Sequence, residues 1–441
     1  MILTQKERDE SLKLLTEFLR LKSISATSEG IRETAEFLKD LMKGFGINAR
    51  IIETGGHPVV FGEAGDGERS LIIYNHYDVQ PVDPINEWKV DPFSATIIND
   101  RLYARGASDN KGTLMARLYA VKKLLEEDKL NVKIKFVYEG EEEIGSVNLD
   151  KFVNENKDLL KADGVLMEGS GVDTENRPLI ILGVKGILYV QLEVETGERD
   201  VHSSNAPIIY NPAWELIRAL ASIYDGDKVL IPGFYDSIRP LTEEEERILL
   251  EYDVEPEEIR KSLGVKELKV TDRKELVRRL YTYPSCNIDG IYSGYIGGGS
   301  KTIVPHKAFA KIDFRLVPDQ DPYKILEALK EHLRRIGFKG SVKLLDRGEY
   351  PARTSPNTRI VKVALESAKE VYENEPKILI NSPGTQPMDL FVKTLGIKEV
   401  ISAIGVGDPD SRAHAPNESI KLENYYKEIL HMYKFLLKYT E

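Results

Sequence analysis

The hydrophobic pattern opens on a helix. Thr4 and Glu7 are spaced as a capping box, and Leu12, Leu15, Phe18 and Leu19 follow as an apolar stripe at helical spacing. A second helix is predicted over 31–45, ending near Gly46. Short apolar runs come next: "ARIIET", "PVVFGEA" and "SLIIYN". The last is nearly all apolar before Asn75, as expected for a strand buried on both faces. A helix is predicted over 109–127, opening at Asp109, with Leu114, Leu118 and Val121 along one side. "VKIKFVY" then alternates as a strand, and "DGVLM" is another. Strands alternating with helices predict an α/β domain built on a mostly parallel sheet flanked by helices.

Near residue 184 the texture changes. "ILYVQLEVET" and "AFAKIDFRLV" alternate over long stretches, as in an antiparallel sheet with one packed face. A helix over 322–336 and the alternating "SVKLLDR" complete a smaller α+β domain, with the charged, helical stretch 225–285 as its surface elaboration. From about 351 the first texture returns: a helix over 357–372, a short strand near 378, a helix over 387–395, the strand "EVISAI" and a final helix over 421–439. The expected organisation is residues 1–184 and 351–441 as one domain, with 185–350 inserted.

A chain of 441 residues is long for one core, which agrees with two domains. The formal net charge of −11 argues against a nucleic-acid groove or an anionic membrane surface as partner. No apolar run approaches the ~20 residues of a membrane span, and the N-terminus lacks a signal-peptide pattern. The single cysteine, Cys286, cannot form an internal disulfide, which agrees with a cytoplasmic location. It reads as a small packed residue rather than a nucleophile.

Chemistry-bearing residues recur at one kind of position. His76 and Asp78 follow "LIIYN", Glu142 and Glu143 follow "VKIKFVY", Glu168 follows "GVLM", and His414 lies in the loop after "EVISAI". Asp109 sits where a loop enters a helix. In open α/β sheets, sites form outside the carboxyl ends of the strands. Taken singly, each residue has an ordinary reading: His76 and Asp78 a surface loop, Asp109 a helix N-cap. Together, His76, Asp109, Glu143, Glu168 and His414 make a ligand set. Two histidines with carboxylates suit zinc, and cobalt and manganese are also compatible. With Asp109 bridging, the set is sufficient for two ions about 3.5–4 Å apart. The adjacent glutamates of "EGEEEIGS" offer one carboxylate as a ligand and one as a base for a metal-activated water. Glu139 and Glu141 in the same stretch have no evident role. His57, His306, His332 and His431 read as surface or packing residues.

The motifs "NHYDVQP", "RGASDNKG", "EGEEEIGS" and "AHAPNE", in that order, resemble those of the dinuclear zinc exopeptidase and deacylase family. "PGFYDSIRPLTEEE", "DGIYSGYIGGGSKTIVP" and "DFRLVPDQDP" resemble its carnosinase and nonspecific-dipeptidase branch. The resemblance implies a catalytic α/β domain with an inserted lid and dimerisation domain, and a homodimer. It implies His76 and Glu168 on one zinc, Glu143 and His414 on the other, and Asp109 bridging. Asp78 would support His76, and Glu142 would be the general base. His202 in "RDVHSS" matches a lid histidine that stabilises the oxyanion in the partner's site. Arg315 matches an arginine that holds the substrate carboxylate, and Thr302 and Thr385 match substrate-contacting positions. The expected activity is hydrolysis of the amide bond of dipeptides or short peptides with a free carboxylate. The alternative is an N-acyl amino acid deacylase such as acetylornithine deacetylase or succinyl-diaminopimelate desuccinylase. Glu168 stands where the dipeptidase branch more often has Asp and the deacylase and carboxypeptidase branches have Glu.

Overall fold

The computed structural model describes residues 3–252 and 254–440. The chain forms two compact units. One comprises the described residues of Met1–Gly183, Thr354–Leu379 and Leu390–Glu441; the other comprises Val184–Arg353 and Ile380–Asp389. The first unit carries an eight-stranded sheet in the order Asn48–Ile52, Val59–Ala64, Lys133–Glu139, Ser70–His76, Gly164–Met167, Glu399–Ala403, Leu179–Ile181, Lys377–Leu379. Ser70–His76 is parallel to both of its neighbours, and Glu399–Ala403 is parallel to Gly164–Met167. Antiparallel pairs flank this parallel centre. Leu71, Ile72, Ile73 and Tyr74 are all buried, as the unbroken apolar run predicts. The consequence for function is positional: Glu139, His76, Met167 and Ala403 all end at one edge of the sheet.

The second unit is an antiparallel sheet in the order Ser285–Ser293, Lys307–Leu316, Gly186–Glu195, Ser341–Leu344. Alternation turns Leu188, Val190, Leu192 and Val194 inward with Ala308, Ala310, Ile312 and Phe314. Helices Pro212–Ile223 and Pro322–Arg335 cover that face with Leu216, Ala219, Ile325 and Leu329. The described residues of the stretch 225–285 include the helices Glu243–Leu250, Pro256–Ser262 and Arg273–Thr282. Among the described residues no helix is long and apolar enough to cross a membrane.

Two helices of the first unit depart from the sequence reading. The helix expected over 387–395 is a π-helical turn, Leu390–Thr394. In the helix Lys111–Glu126, burial is not confined to a stripe through Leu114, Leu118 and Val121: every residue from Lys111 through Val121 is buried. This helix packs against Gln5–Leu19 and Leu422–Tyr439, so it lies inside the unit rather than on it. Arg117 is the polar centre of that interior and is fully buried. Its Nη1 donates to Met167 O at 2.7 Å, its Nη2 to Ala403 O at 2.8 Å, and its Nε to Glu428 Oε1 at 3.1 Å. One side chain thereby satisfies the ends of two strands and joins the helix to Leu422–Tyr439. Arg117→Met should cost about 3–5 kcal/mol, because it leaves Glu428 buried without its cation. The guanidinium chloride midpoint measures this, and the double variant R117M/E428Q should recover part of the loss.

Candidate active site

Each side chain of the site is held by a loop leaving a strand end, and buried carboxylates hold those loops. His76 closes its strand with no exposed surface, and Asp78 beside it is equally buried. The Asp78 carboxylate accepts the backbone N–H of Glu142 at 3.3 Å and of Glu143 at 3.0 Å. Its Oδ1 also lies 3.4 Å from His76 Nδ1, while the Asp78 carbonyl lies 3.1 Å from the same nitrogen. Asp78 therefore orients one candidate ligand and fixes the turn that carries the glutamate pair. That turn, Glu142–Ile144, ends at Gly145 with φ 90°, a conformation an L side chain would strain. After Glu168 the chain needs another glycine for a different reason: a Cβ on Gly169 would sit 1.6 Å from Ile404 O.

Asp109 is not a helix cap. The helix begins at Lys111 with Asn110 as its N-cap residue. The loop holding Asp109 is gripped by Glu418, which the sequence reading passed over. Glu418 is fully buried; its Oε1 accepts the N–H of Ser108 and of Asp109, both at 2.9 Å, and its Oε2 accepts that of Gly106 at 3.0 Å. Arg105 Nη1 neutralises it at 2.7 Å. Glu418 lies four residues after His414 in the string "AHAPNE", so it ties the two ligand loops together. The strand Ser419–Lys421 that follows pairs with Arg101–Tyr103 and brings the two segments side by side. His414 itself has φ 62°, a strained conformation costing on the order of 1 kcal/mol or more.

The five expected ligands converge. His76 Nε2 lies 3.0 Å from Asp109 Oδ1 and 2.9 Å from Glu168 Oε2. His414 Nε2 lies 3.1 Å from Asp109 Oδ2 and 3.0 Å from Glu143 Oε2. Among the described residues, His76, Asp109 and Glu168 form one group and Asp109, Glu143 and His414 another, each with ligand atoms within 4.8 Å of one another. The two oxygens of Asp109 face different histidines, which is the arrangement a bridging carboxylate needs. Hydrogen bonds that its ring donates to Asp109 and Glu143 raise the His414 pKa to about 10. Burial opposes charge on His76, yet Glu168, Asp109 and Asp78 outweigh it and hold its pKa well above the ordinary value. Burial, then the Glu168 charge, push the Glu142 carboxyl well above the usual range. Buried Glu143 Oε1 accepts no hydrogen bond among the described residues, and buried Glu168 Oε2 meets the His76 ring. A pocket this rich in crowded acceptors attracts positive charge, and divalent cations fit its oxygen and imidazole donors.

The remaining glutamates of "EGEEEIGS" have structural work. Glu139 is buried and accepts from the Tyr74 hydroxyl and, at 2.9 Å, from Ser146 Oγ; burial lifts its pKa to about 8. Glu141 accepts the N–H of His57 at 2.8 Å and of Asn148 at 2.9 Å. Gln80, in "NHYDVQP", donates to Glu143 Oε2 at 2.9 Å and so orients a candidate ligand.

In the second unit the four expected residues come together as two pairs. His202 is exposed on the two-stranded ribbon Val201–His202/Ile303–Val304, where Thr302 O accepts Ser203 N–H at 3.1 Å. Arg315 Nη1 donates to Thr385 Oγ1 at 2.8 Å. His57, His306, His332 and His431 all have ordinary hydrogen-bond partners: Ser25 O, Asp200, Ser222 and Glu428.

This fold and donor set define a metal-dependent hydrolase with an inserted α+β domain. Residues 72–438 match the Peptidase family M20/M25/M40. The chain is 32% identical over 381 residues to the Beta-Ala-His dipeptidase of Homo sapiens, covering 83% of this chain and 75% of that protein. It is 28% identical to the Cys-Gly metallodipeptidase DUG1 of Candida albicans, covering 94% and 91%. Among solved structures, the M20 family metallo-carboxypeptidase Sso-CP2 from Sulfolobus solfataricus is 56% identical, with a TM-score of 0.94 over 98% of this chain and 99% of that one. The chain therefore belongs to the M20/M25/M40 peptidase family and is a metallopeptidase.

The grip of Glu418 yields a direct expectation. Glu418→Ala strands the buried Arg105 charge and frees three backbone N–H groups, at a cost of about 3–5 kcal/mol. The melting temperature should fall, and metal content after dialysis should fall with it. Glu418→Gln keeps the acceptor oxygen and should lose less of both.

Proposed function

We propose that this chain is an exopeptidase that cleaves the amide bond of dipeptides and short peptides carrying a free carboxylate. The observation that carries this reading is the standing of Glu142. Its Oε2 lies 4.0 Å from His76 Nε2, at the edge of the donor cluster, yet it belongs to neither donor group. A carboxylate so placed suits a general base. His76, Asp109 and Glu168 would hold one divalent ion, and Asp109, Glu143 and His414 a second; the two-histidine, carboxylate set favours zinc. Such ions, when bound, polarise a scissile carbonyl and acidify water.

The chain's own residues supply the rest. Asp78 fixes the His76 ring. Arg315, positioned beside Thr385, takes the substrate carboxylate by a charge-assisted pair, with Thr302 and Thr385 as further polar contacts. Glu142 accepts a proton from water and delivers it to the leaving amine. His202, exposed on its ribbon, is available to a second subunit, where it would donate to the developing oxyanion. The assembly is then a homodimer through the inserted domain, and the lone cysteine favours the cytoplasm. The names of the relatives support peptide substrates, and the carboxypeptidase likeness supports recognition of a free C-terminus. Glu168 gives the deacylase reading its one specific support.

A panel of dipeptides, longer peptides, and N-acetyl and N-succinyl amino acids, run on the metal-reconstituted enzyme, separates the two. Peptides should have the higher kcat/KM; a clear preference for acyl amino acids would overturn the proposal. Glu142→Ala should abolish turnover while metal analysis still finds both ions. Loss of an ion would mean that Glu142 is a ligand. His202→Ala should lower kcat by about 100-fold or more. Mixing the H202A and E142A proteins should then restore part of the activity, because a heterodimer contains one complete site. No restoration would place His202 in its own subunit's site.

A further inference from the structure

A cavity of about 880 Å³ lies within the second unit, inside the range of about 300–1,000 Å³ usual for small-molecule sites. It is bordered by the helices Glu243–Leu250 and Arg273–Thr282 and by Val317 and Pro318, which follow the strand Lys307–Leu316. His202, Thr302, Arg315 and Thr385 are not among its lining residues.

The charges along its walls are unevenly matched. Arg278 pairs with Glu246, Arg279 with Asp227 and with Glu275, and Arg353 with Glu245 at 2.8 Å. Arg239 differs. It is half-buried, and no carboxylate lies within ion-pair distance of it among the described residues. Its Nη2 donates to Arg353 O at 3.2 Å, and its Nε is buried with no hydrogen-bond partner among the described residues. Burial lowers the Arg353 pKa, Glu245 opposes this, and the Arg239 charge lowers it further. Arg239 therefore stands beside Arg353 at the wall of the cavity with no carboxylate of its own, and a buried N–H without an acceptor costs about 1–3 kcal/mol. An anion in the cavity would give the Arg239 guanidinium the counter-charge it lacks.

The other lining residues narrow the anion. Ile238, Leu241 and Val317 offer an apolar wall beside Arg239, which suits an anion that carries an apolar body. We propose that this cavity binds a small monocarboxylate with an apolar body, its carboxylate on Arg239 and its body against Ile238, Leu241 and Val317.

Isothermal titration of the metal-loaded, full-length enzyme tests this. The probes are 3-phenylpropionate, which has no amide bond to cleave, and inorganic phosphate. Phenylpropionate should bind saturably, and Arg239→Gln should weaken it about 10- to 100-fold, the loss of one charge-assisted pair. Arg239→Lys should retain part of the affinity, and Arg315→Gln should leave this binding in place. Unchanged melting temperature and peptide hydrolysis in R239Q establish that the variant is folded. Equal affinity in R239Q, abolition by R315Q, or binding of phosphate alone would each overturn the assignment.

Discussion

Buried carboxylates gripping backbone N–H groups hold this site together. A chain leaving a strand end carries amides with no ladder partner, and inside a protein those amides need acceptors. Asp78 supplies them for Glu142 and Glu143, Glu418 for Gly106, Ser108 and Asp109, and Glu141 for His57 and Asn148. These charge-assisted bonds are stronger than neutral ones and fix the loops that carry the ligands. They also bring negative charge to an edge already occupied by Glu142, Glu143 and Glu168. The interaction that sets loop geometry thus also creates the field that draws cations.

A surplus of buried acid would unfold the unit if nothing answered it. The answer comes from behind the site. Arg105 meets Glu418, and Arg117 meets Glu428 while tying down two strand ends. Lys111 is buried at the head of the central helix, and its Nζ donates to Leu21 O at 2.5 Å. Burial lowers its pKa to about 7, partly opposed by Asp78 and Glu418. Arg105 and Arg117 balance the scaffold carboxylates without entering the donor groups, so the cluster keeps its appetite for metal.

Part of this arrangement is legible in the sequence for a clear reason. "SLIIYN" has no polar face, so it belongs at the sheet centre, and whatever follows it lies at the sheet's edge. That logic reaches His76, Glu143, Glu168 and His414 without coordinates. It does not reach Glu418, whose partners are backbone amides more than three hundred residues earlier in the chain. A backbone amide is common to nearly every residue, so a carboxylate that grips amides leaves no residue-type spacing to find. Asp109 shows the converse problem: a carboxylate near a helix start looks like a cap, and only the start at Lys111 shows otherwise. The stripe through Leu114, Leu118 and Val121 similarly understates a helix buried on all sides.

The adjacent pair Glu142 and Glu143 shows how one turn gives two like residues different chemistry. Asp78 holds both backbones, so their difference lies in the side chains. Glu143 is 2% exposed, tied to Gln80 and within 3.0 Å of His414. Its freedom is spent on orientation, as the proposed ligand role requires. Glu142 is 20% exposed and stands outside both donor groups; partial burial first, and the Glu168 charge second, favour its protonated form. A carboxyl whose proton affinity is raised, and which keeps access to solvent, can both take and return a proton. The physical ground for the proposed division of roles is therefore what each side chain meets: Gln80 and His414 for Glu143, solvent and Glu168 for Glu142.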